Sequence, residues 1–231
     1  MKETAPKIIY PVAVRALMKV LVPRLEAALG TPLDQAIDLN PAIAQRIADG
    51  ERFDVGLTNP HFVSALITKG HIGESSHRAF GRVPLAIGRR EGGFVPVVTS
   101  VRDIISLIND AESIGYTAAG TSGQTYLQVM ERLRLTEMTK STSRPMGTGE
   151  PMAAVAAGDV QFGVVPLTTV LSAAGVVPAA IFPDDLGAHI DISVFLSHSP
   201  HERAALILKF LTSPEIDAEL ATAGMSRFAF T

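Results

Sequence analysis

Six strand ends in this chain run straight into small, polar or proline-bearing turns that open helices. They are Pro11–Val12–Ala13, Leu39–Asn40–Pro41, Thr58–Asn59–Pro60, Gly120–Thr121–Ser122–Gly123, Thr148–Gly149–Glu150 and Pro166–Leu167–Thr168. A helix start carries free backbone N–H groups and a partial positive charge, so the chemistry such turns offer is capture of a small anion. Taken singly, Thr121, Ser122 and Thr168 read better as helix caps; the repetition is the signal. Other constellations carry less. Gly147–Met152 begins like a dinucleotide fingerprint but has Met at the sixth position and no acidic residue on a following strand end. The chain contains no Walker lysine, since neither GKS nor GKT occurs. Gly120–Gln124 is one residue short of a nucleophile elbow, and no base or orienting acid can be placed beside Ser122. His198 and His201 stand three apart at a helix start, and His61, His71 and His77 are scattered. Without carboxylates at ligand spacing these histidines read as surface or capping residues, and Asp184–Asp185 as a solvated turn. The expectation is therefore a binding protein, not an enzyme, with no catalytic residue, metal site or cofactor.

The elements that position these turns alternate between strand and helix almost throughout, which argues for mainly parallel sheets flanked by helices. The pattern predicts strands at Lys7–Tyr10, Leu33–Leu39, Phe53–Thr58, Ser113–Thr117, Val160–Val165 and Ile190–Leu196, and a short one near Thr139–Ser143. Ser75–Gly81 and Val83–Arg89 read as neighbouring extended segments. Helices are predicted at Val14–Leu29, ended by Gly30 as a left-handed cap, and from an Asn40 cap to Gly50. Others are Pro60–Lys69, Val101–Asn109, Thr125–Leu133, Met152–Ala157 and Leu167–Ala173. The last two, Pro200–Leu211 and Pro214–Ala223, are each opened by proline.

With 231 residues, 47% apolar and 19% charged, the whole chain can fold as one large domain or two small lobes. A net charge of −3 suggests neither a nucleic-acid nor a membrane partner. No apolar run approaches the ~20 residues of a membrane helix. The absence of cysteine removes disulfides, thiolate metal sites and thiol nucleophiles. The opening MKETAPKIIYPV does not read as a signal peptide, because Glu3 and Lys7 interrupt it. Two readings stay open: an export signal removed ahead of this sequence, giving a periplasmic protein, or a chain that stays in the cytoplasm.

Together, several segments resemble the molybdate-binding subgroup of type 2 periplasmic binding proteins, substrate-binding components of ABC importers. The resemblance spans most of the chain. KIIYPVAVRALMKVLVPRLEAALG is similar to the family's opening, FDVGLTNP to its strand and turn closing the first half, and GRVPLAIGRREG to its crossing segment. SIGYTAAGTSGQTYLQVMERL resembles its second-lobe strand, turn and helix. The most specific matches are GEPMAAVAAGDVQFGVVPLTTVL and HIDISVFLSHSPHERAALILKFLTSPEIDAELATAGM, the latter with a "helix, S-P-E, helix" ending.

The resemblance implies an α/β, two-lobed fold. Lobe one would hold residues 1–84 and 189–231, lobe two 85–188, with two hinge crossings and ligand bound in the cleft between them. It implies ligand positions at Pro11, Val12, Ala13, Asn40, Thr58, Asn59, Thr121, Ser122, Thr148, Gly149, Pro166 and Leu167. It implies a monomer that captures a small anion or organic acid and docks on an ABC transporter membrane component. The alternatives are a cytoplasmic ligand sensor of the same fold and a molybdate or tungstate binder proper. The chain departs from the family in two turns, where Pro11–Val12–Ala13 replaces a serine turn and Pro166 a tyrosine. Those changes remove donors that a buried tetrahedral dianion needs, so molybdate is expected to bind poorly. They suit a carboxylate at the Thr121–Ser122 helix start with its hydrocarbon part against Val12, Ala13 and Leu167.

Overall fold

The computed structural model describes residues 5–230. Residues 1–4 and 231 of the expected first lobe, and Glu3 of the leader reading, lie outside the described residues. In chain order the elements are β1 (Lys7–Pro11), a 3₁₀ turn, α1 (Arg15–Leu29), β2 (Asp34–Asp38), α2 (Asn40–Ala48), β3 (Val55–Thr58) and α3 (Pro60–Thr68). There follow β4 (Arg78–Arg90), α4 (Val101–Asn109), β5 (Ile114–Thr117), α5 (Thr121–Arg132), α6 (Thr136–Thr139), β6 (Ser143–Met146) and α7 (Glu150–Ala157). The chain ends with β7 (Phe162–Pro166), α8 (Leu167–Ser172), β8 (Val176–Ile181), β9 (His189–Leu196), α9 (Ala204–Thr212) and α10 (Asp217–Thr222).

The chain forms two compact units, Met1–Arg82 with Asp191–Thr231, and Val83–Ile190. It passes from one to the other twice, within β4 and within β9. In the first unit β2, β1 and β3 are parallel and β9 runs antiparallel beside β3. Successive strand residues face opposite sides. Ile9 joins Ile43, Ile47, Val63, Leu66 and Phe195 in the core under α2 and α3, while Ile8 and Tyr10 are buried towards the other side. Helices α9 and α10 both pack on α1. In the second unit β6, β5 and β7 are parallel, and β4 joins β7 and β8 antiparallel. Helices α5 and α7 pack on β5 and β7, and α8 on β8.

Gly30 ends α1 at φ 65 as its position suggested, and α4 and the Gly158 stop of α7 also match the sequence pattern. Several expectations need correction. Ser75–Gly81 and Val83–Arg89 are not two segments: a 3₁₀ turn occupies Glu74–Ser76, and one thirteen-residue strand runs through Pro84. Helix α5 begins four residues early, because the small residues read as a turn form its first turn. The strand expected near Thr139–Ser143 lies at Ser143–Met146, behind the short α6. Strand β8 was not foreseen, since GVVPAAIF has neither alternation nor helical spacing. Pro200 does not open α9, which starts at Ala204. The 3₁₀ turn at Pro214–Ile216 precedes α10.

The late start of α9 has a physical cause in Asp54, a carboxylate only 1% exposed. One of its oxygens accepts from the Lys7 N–H at 2.6 Å and the other from the His201 N–H at 2.8 Å. His201 is thereby held in the loop, where its Nδ1 accepts from the Arg203 N–H. Asp54 so ties the starts of β1 and β3 to the segment after β9. Asp54→Asn turns one acceptor into a donor facing another donor, and should cost about 2–3 kcal/mol. Urea unfolding measures it; an unchanged midpoint would remove the staple.

A second tie is ionic. Arg46 reaches Glu51 at 2.5 Å and Asp38 at 3.0 Å, and Lys7 Nζ reaches Glu51 at 3.0 Å. The hydrogen bond from Arg46, then that from Lys7, holds the Glu51 carboxyl down from 4.5 to about 2 against a desolvation cost. A depressed carboxylate adds stability above its unfolded pKa, lost as pH falls through the folded value. The Glu51 contribution should therefore be complete above pH 4.5 and fade towards pH 2. Glu51→Gln should lower stability at neutral pH and flatten that part of the acid profile. Parallel profiles for both proteins would refute the assignment.

Candidate functional site

In the first unit three parallel strands end at one edge, with Pro11 opposite Asp38 and Ile9 opposite Gly56. Pro11 closes β1 and stands at the cap position of the 3₁₀ turn Val12–Val14. Its ring nitrogen has no N–H to offer. Ala13 is buried and Val12 half-buried. Asn40 is not the cap expected of it; Leu39 holds that position and Asn40 is the first residue of α2. The Thr58 hydroxyl, wholly buried at the end of β3, donates to the Asn40 carbonyl at 3.2 Å and to Asn40 Oδ1 at 3.1 Å. Asn59 precedes α3, and its Nδ2 donates to the Asp191 carbonyl at 2.7 Å. The Asp191 carboxylate in turn accepts from Arg82 Nε at 2.6 Å and from a terminal guanidinium nitrogen at 2.9 Å.

Opposite Thr58 in register stands Ser193, also wholly buried, with its Oγ 2.8 Å from His77 Nε2. His77 is therefore neither a surface nor a capping residue. Its ring is half-buried and lies tilted against Phe230, with centroids 4.5 Å apart. Burial, and after it the nearby Arg78, pushes its pKa below the ordinary value, with Glu74 opposing. Nothing in the sequence signalled this pair, whose members lie 116 positions apart.

In the second unit β5, β6 and β7 also end at one edge, with Thr117 opposite Met146 and Tyr116 opposite Val164. Gly120 occupies the cap position of the twelve-residue α5 and makes no side-chain cap. Thr121 and Ser122 are then its first two helical residues and not its caps. Ser122 is 7% exposed, and among the described residues its hydroxyl has no hydrogen-bond partner. The same holds for Thr117, a residue the sequence reading missed because it sits before the turn. Gly123 lets α5 press onto β5: a Cβ there would lie 2.1 Å from the Thr117 carbonyl oxygen.

The other two turns differ. Thr148 and Gly149 are exposed, and the Glu150 carboxylate accepts from the Gly147 N–H at 2.5 Å. The start of α7 thus already faces a carboxylate of its own, which repels a second anion. Pro166 is at the cap position of α8, a helix of six residues, and Leu167 and Thr168 are buried.

The structure thus brings Pro11, Val12, Ala13, Asn40, Thr58 and Asn59 to one edge of the first unit. It brings Thr121, Ser122, Thr148, Gly149, Pro166 and Leu167 to the corresponding edge of the second.

Residues 7–226 match the family model of the bacterial extracellular solute-binding proteins. The chain belongs to this family. It is 25% identical over 213 residues to an aconitate isomerase from a Pseudomonas species, covering 89% of this chain and 81% of that protein. Among solved structures, the periplasmic molybdate-binding protein of Azotobacter vinelandii aligns at a TM-score of 0.80 with 16% identity, covering 95% of this chain and 98% of that one. The sulfate-binding protein of Mycobacterium tuberculosis aligns at 0.74 with 11% identity, covering 96% and 86%. The likeness to these two establishes the two-lobed periplasmic-binding-protein fold. Among the described residues no helix is long and apolar enough to cross a membrane.

The α5 junction can be tested directly. Gly123→Ala should force α5 off the Thr117 carbonyl and lower the thermal midpoint by several degrees, since overpacking costs about 1–3 kcal/mol. A wild-type midpoint would contradict the close approach.

Proposed function

We propose that this protein is the periplasmic receptor of an ABC-type importer and that its cargo is a small organic acid with more than one carboxylate. The observation that carries the reading is Ser122. A serine only 7% exposed, whose hydroxyl has no partner among the described residues and stands in the first turn of a long helix, offers a donor to a ligand. Helix α5 adds amide donors and the positive end of its dipole. By itself, the edge of the first unit carries the polar Asn40 side chain and the apolar Val12 and Ala13. Such a mixture fits carboxylates on a short carbon skeleton better than a tetrahedral oxyanion, whose every oxygen needs donors once desolvated. The 25% identity to an aconitate isomerase points to the same class of compound. The protein acts as a monomer and hands its cargo to a membrane component.

Isothermal titration with trans-aconitate, cis-aconitate, citrate and molybdate tests this. We expect one of the tricarboxylates to bind and molybdate to give little heat. Ser122→Ala should weaken the tricarboxylate roughly tenfold or more, the worth of a charge-assisted hydrogen bond. Micromolar molybdate binding with no response to the acids would overturn the cargo.

A second reading is favoured by the same relative: isomerisation of an unsaturated acid. Moving a carbon-bound proton requires a base. The candidate in the first unit is His77, bonded to Ser193 across from Thr58 and with its pKa lowered by burial. Proton NMR of cis-aconitate with the protein in D₂O separates the readings. A receptor leaves the spectrum unchanged; catalytic conversion that His77→Gln abolishes would make the protein an enzyme.

A further inference from the structure

We infer that Asn40 is the residue by which the first unit selects an ionised carboxylate, and that Thr58 is the positioning residue that makes it do so. The inference rests on the organic-acid reading above and says which group of this chain recognises the acid.

Asn40 is 5% exposed, at the start of the nine-residue α2. A side-chain amide has an acceptor end and a donor end, and which one meets a ligand depends on which is used internally. Here the acceptor end is used. Thr58, wholly buried on the last position of β3, donates its hydroxyl to Asn40 Oδ1 at 3.1 Å, and to the Asn40 carbonyl at 3.2 Å. The two N–H donors of Asn40 Nδ2 have no partner among the described residues. An amide whose oxygen is engaged and whose nitrogen has both donors open presents the donor end to a ligand. The ligand group must therefore be an acceptor.

The neighbourhood favours the same outcome. Pro41 removes one N–H from the first turn of α2, so the Asn40 side chain adds donors where the backbone has lost one. Ser193, across from Thr58 on β9, bonds His77, while the Thr58 hydroxyl turns to Asn40. The amide is therefore locked by one contact. A ligand group that donates, such as an ammonium, an amide N–H or a protonated acid turned the wrong way, meets two donors head-on. An ionised carboxylate meets them as an acceptor. Thr58 touches no ligand in this scheme; it acts only through Asn40.

Three variants titrated with whichever of trans-aconitate, cis-aconitate or citrate binds the wild-type protein decide the matter. Asn40→Asp keeps an oxygen for the Thr58 hydroxyl, so the fold is retained, but it replaces the donors by a second acceptor. Affinity for the acid should fall about a hundredfold or more. Thr58→Val removes the lock while keeping shape, and should weaken binding about tenfold. Thr58→Ser restores the hydroxyl and should return binding to within a few-fold of wild type, which a purely structural role for the threonine methyl would not produce. Thermal unfolding without ligand separates loss of folding from loss of recognition. If the wild type binds an acid and Asn40→Asp binds it equally well or better, the amide presents its oxygen and the inference falls while the function stands. If the wild type binds none of the acids, the function reading falls and this inference falls with it.

Discussion

A parallel strand must be followed by a helix that returns the chain, so every such helix starts at the same edge of its sheet. The first turn of each start carries backbone donors that no intrahelical acceptor can reach. This protein places six such starts at two edges, and much of its edge chemistry is a set of answers to that constraint. Proline is the commonest answer. Pro41, Pro60 and Pro151 sit in the first turns of α2, α3 and α7, and Pro11 and Pro166 at cap positions, each deleting an N–H. Glu150 supplies its own carboxylate at α7. Helix α5 has no proline and no acidic residue in its first turn, and its cap position is a glycine without a side chain to bond back. Neither a proline, nor an acidic residue, nor a cap side chain answers the donors of its first turn, which is why the anion reading concentrates there and not at all six turns.

The alternation of strand and helix, and the turns that carry the candidate residues, were legible because they depend on local chemistry. Gly30 in a left-handed cap, proline at the start of α3 and the Gly158 stop of α7 all act within one turn of themselves. The register that carries each set of strand ends to a common edge follows from parallel pairing, which the strand–helix alternation implies. The resemblance to a family added the two-lobed architecture, which periodicity alone left undecided between one sheet and two.

What was illegible depended on contacts distant in the chain. The onset of α9 is delayed because His201 is tied to Asp54, 147 positions earlier. The sequence shows only a proline where a helix could begin. Strand β8 contains Pro178 and no alternation; pairing with β4 creates it. The early start of α5 follows from Gly123 fitting against the Thr117 carbonyl. Small residues that look like a turn are the ones a helix needs when it begins in contact with a strand. The His77–Ser193 and Thr58–Asn40 pairs are of the same kind, polar side chains whose partners only the sheet register supplies.

The placement of charge has a consequence for how an anion would be held. The ion pairs of the first unit tie structure together: Lys7 and Arg46 on Glu51, Arg82 on Asp191, Arg24 on Glu219 and Arg227 on Asp217. The side chains left with unpaired polar groups at the edges, Asn40, Thr117 and Ser122, are neutral. Neutral donors lose less solvation than an arginine would when a ligand covers them, and left without a ligand they put no unpaired charge at the edge. They also select by geometry, because each donor has a fixed direction that a point charge lacks. An edge built from amides and hydroxyls therefore suits reversible capture of a shaped anion. Each oxygen is recognised where it falls, and release leaves no buried charge uncompensated.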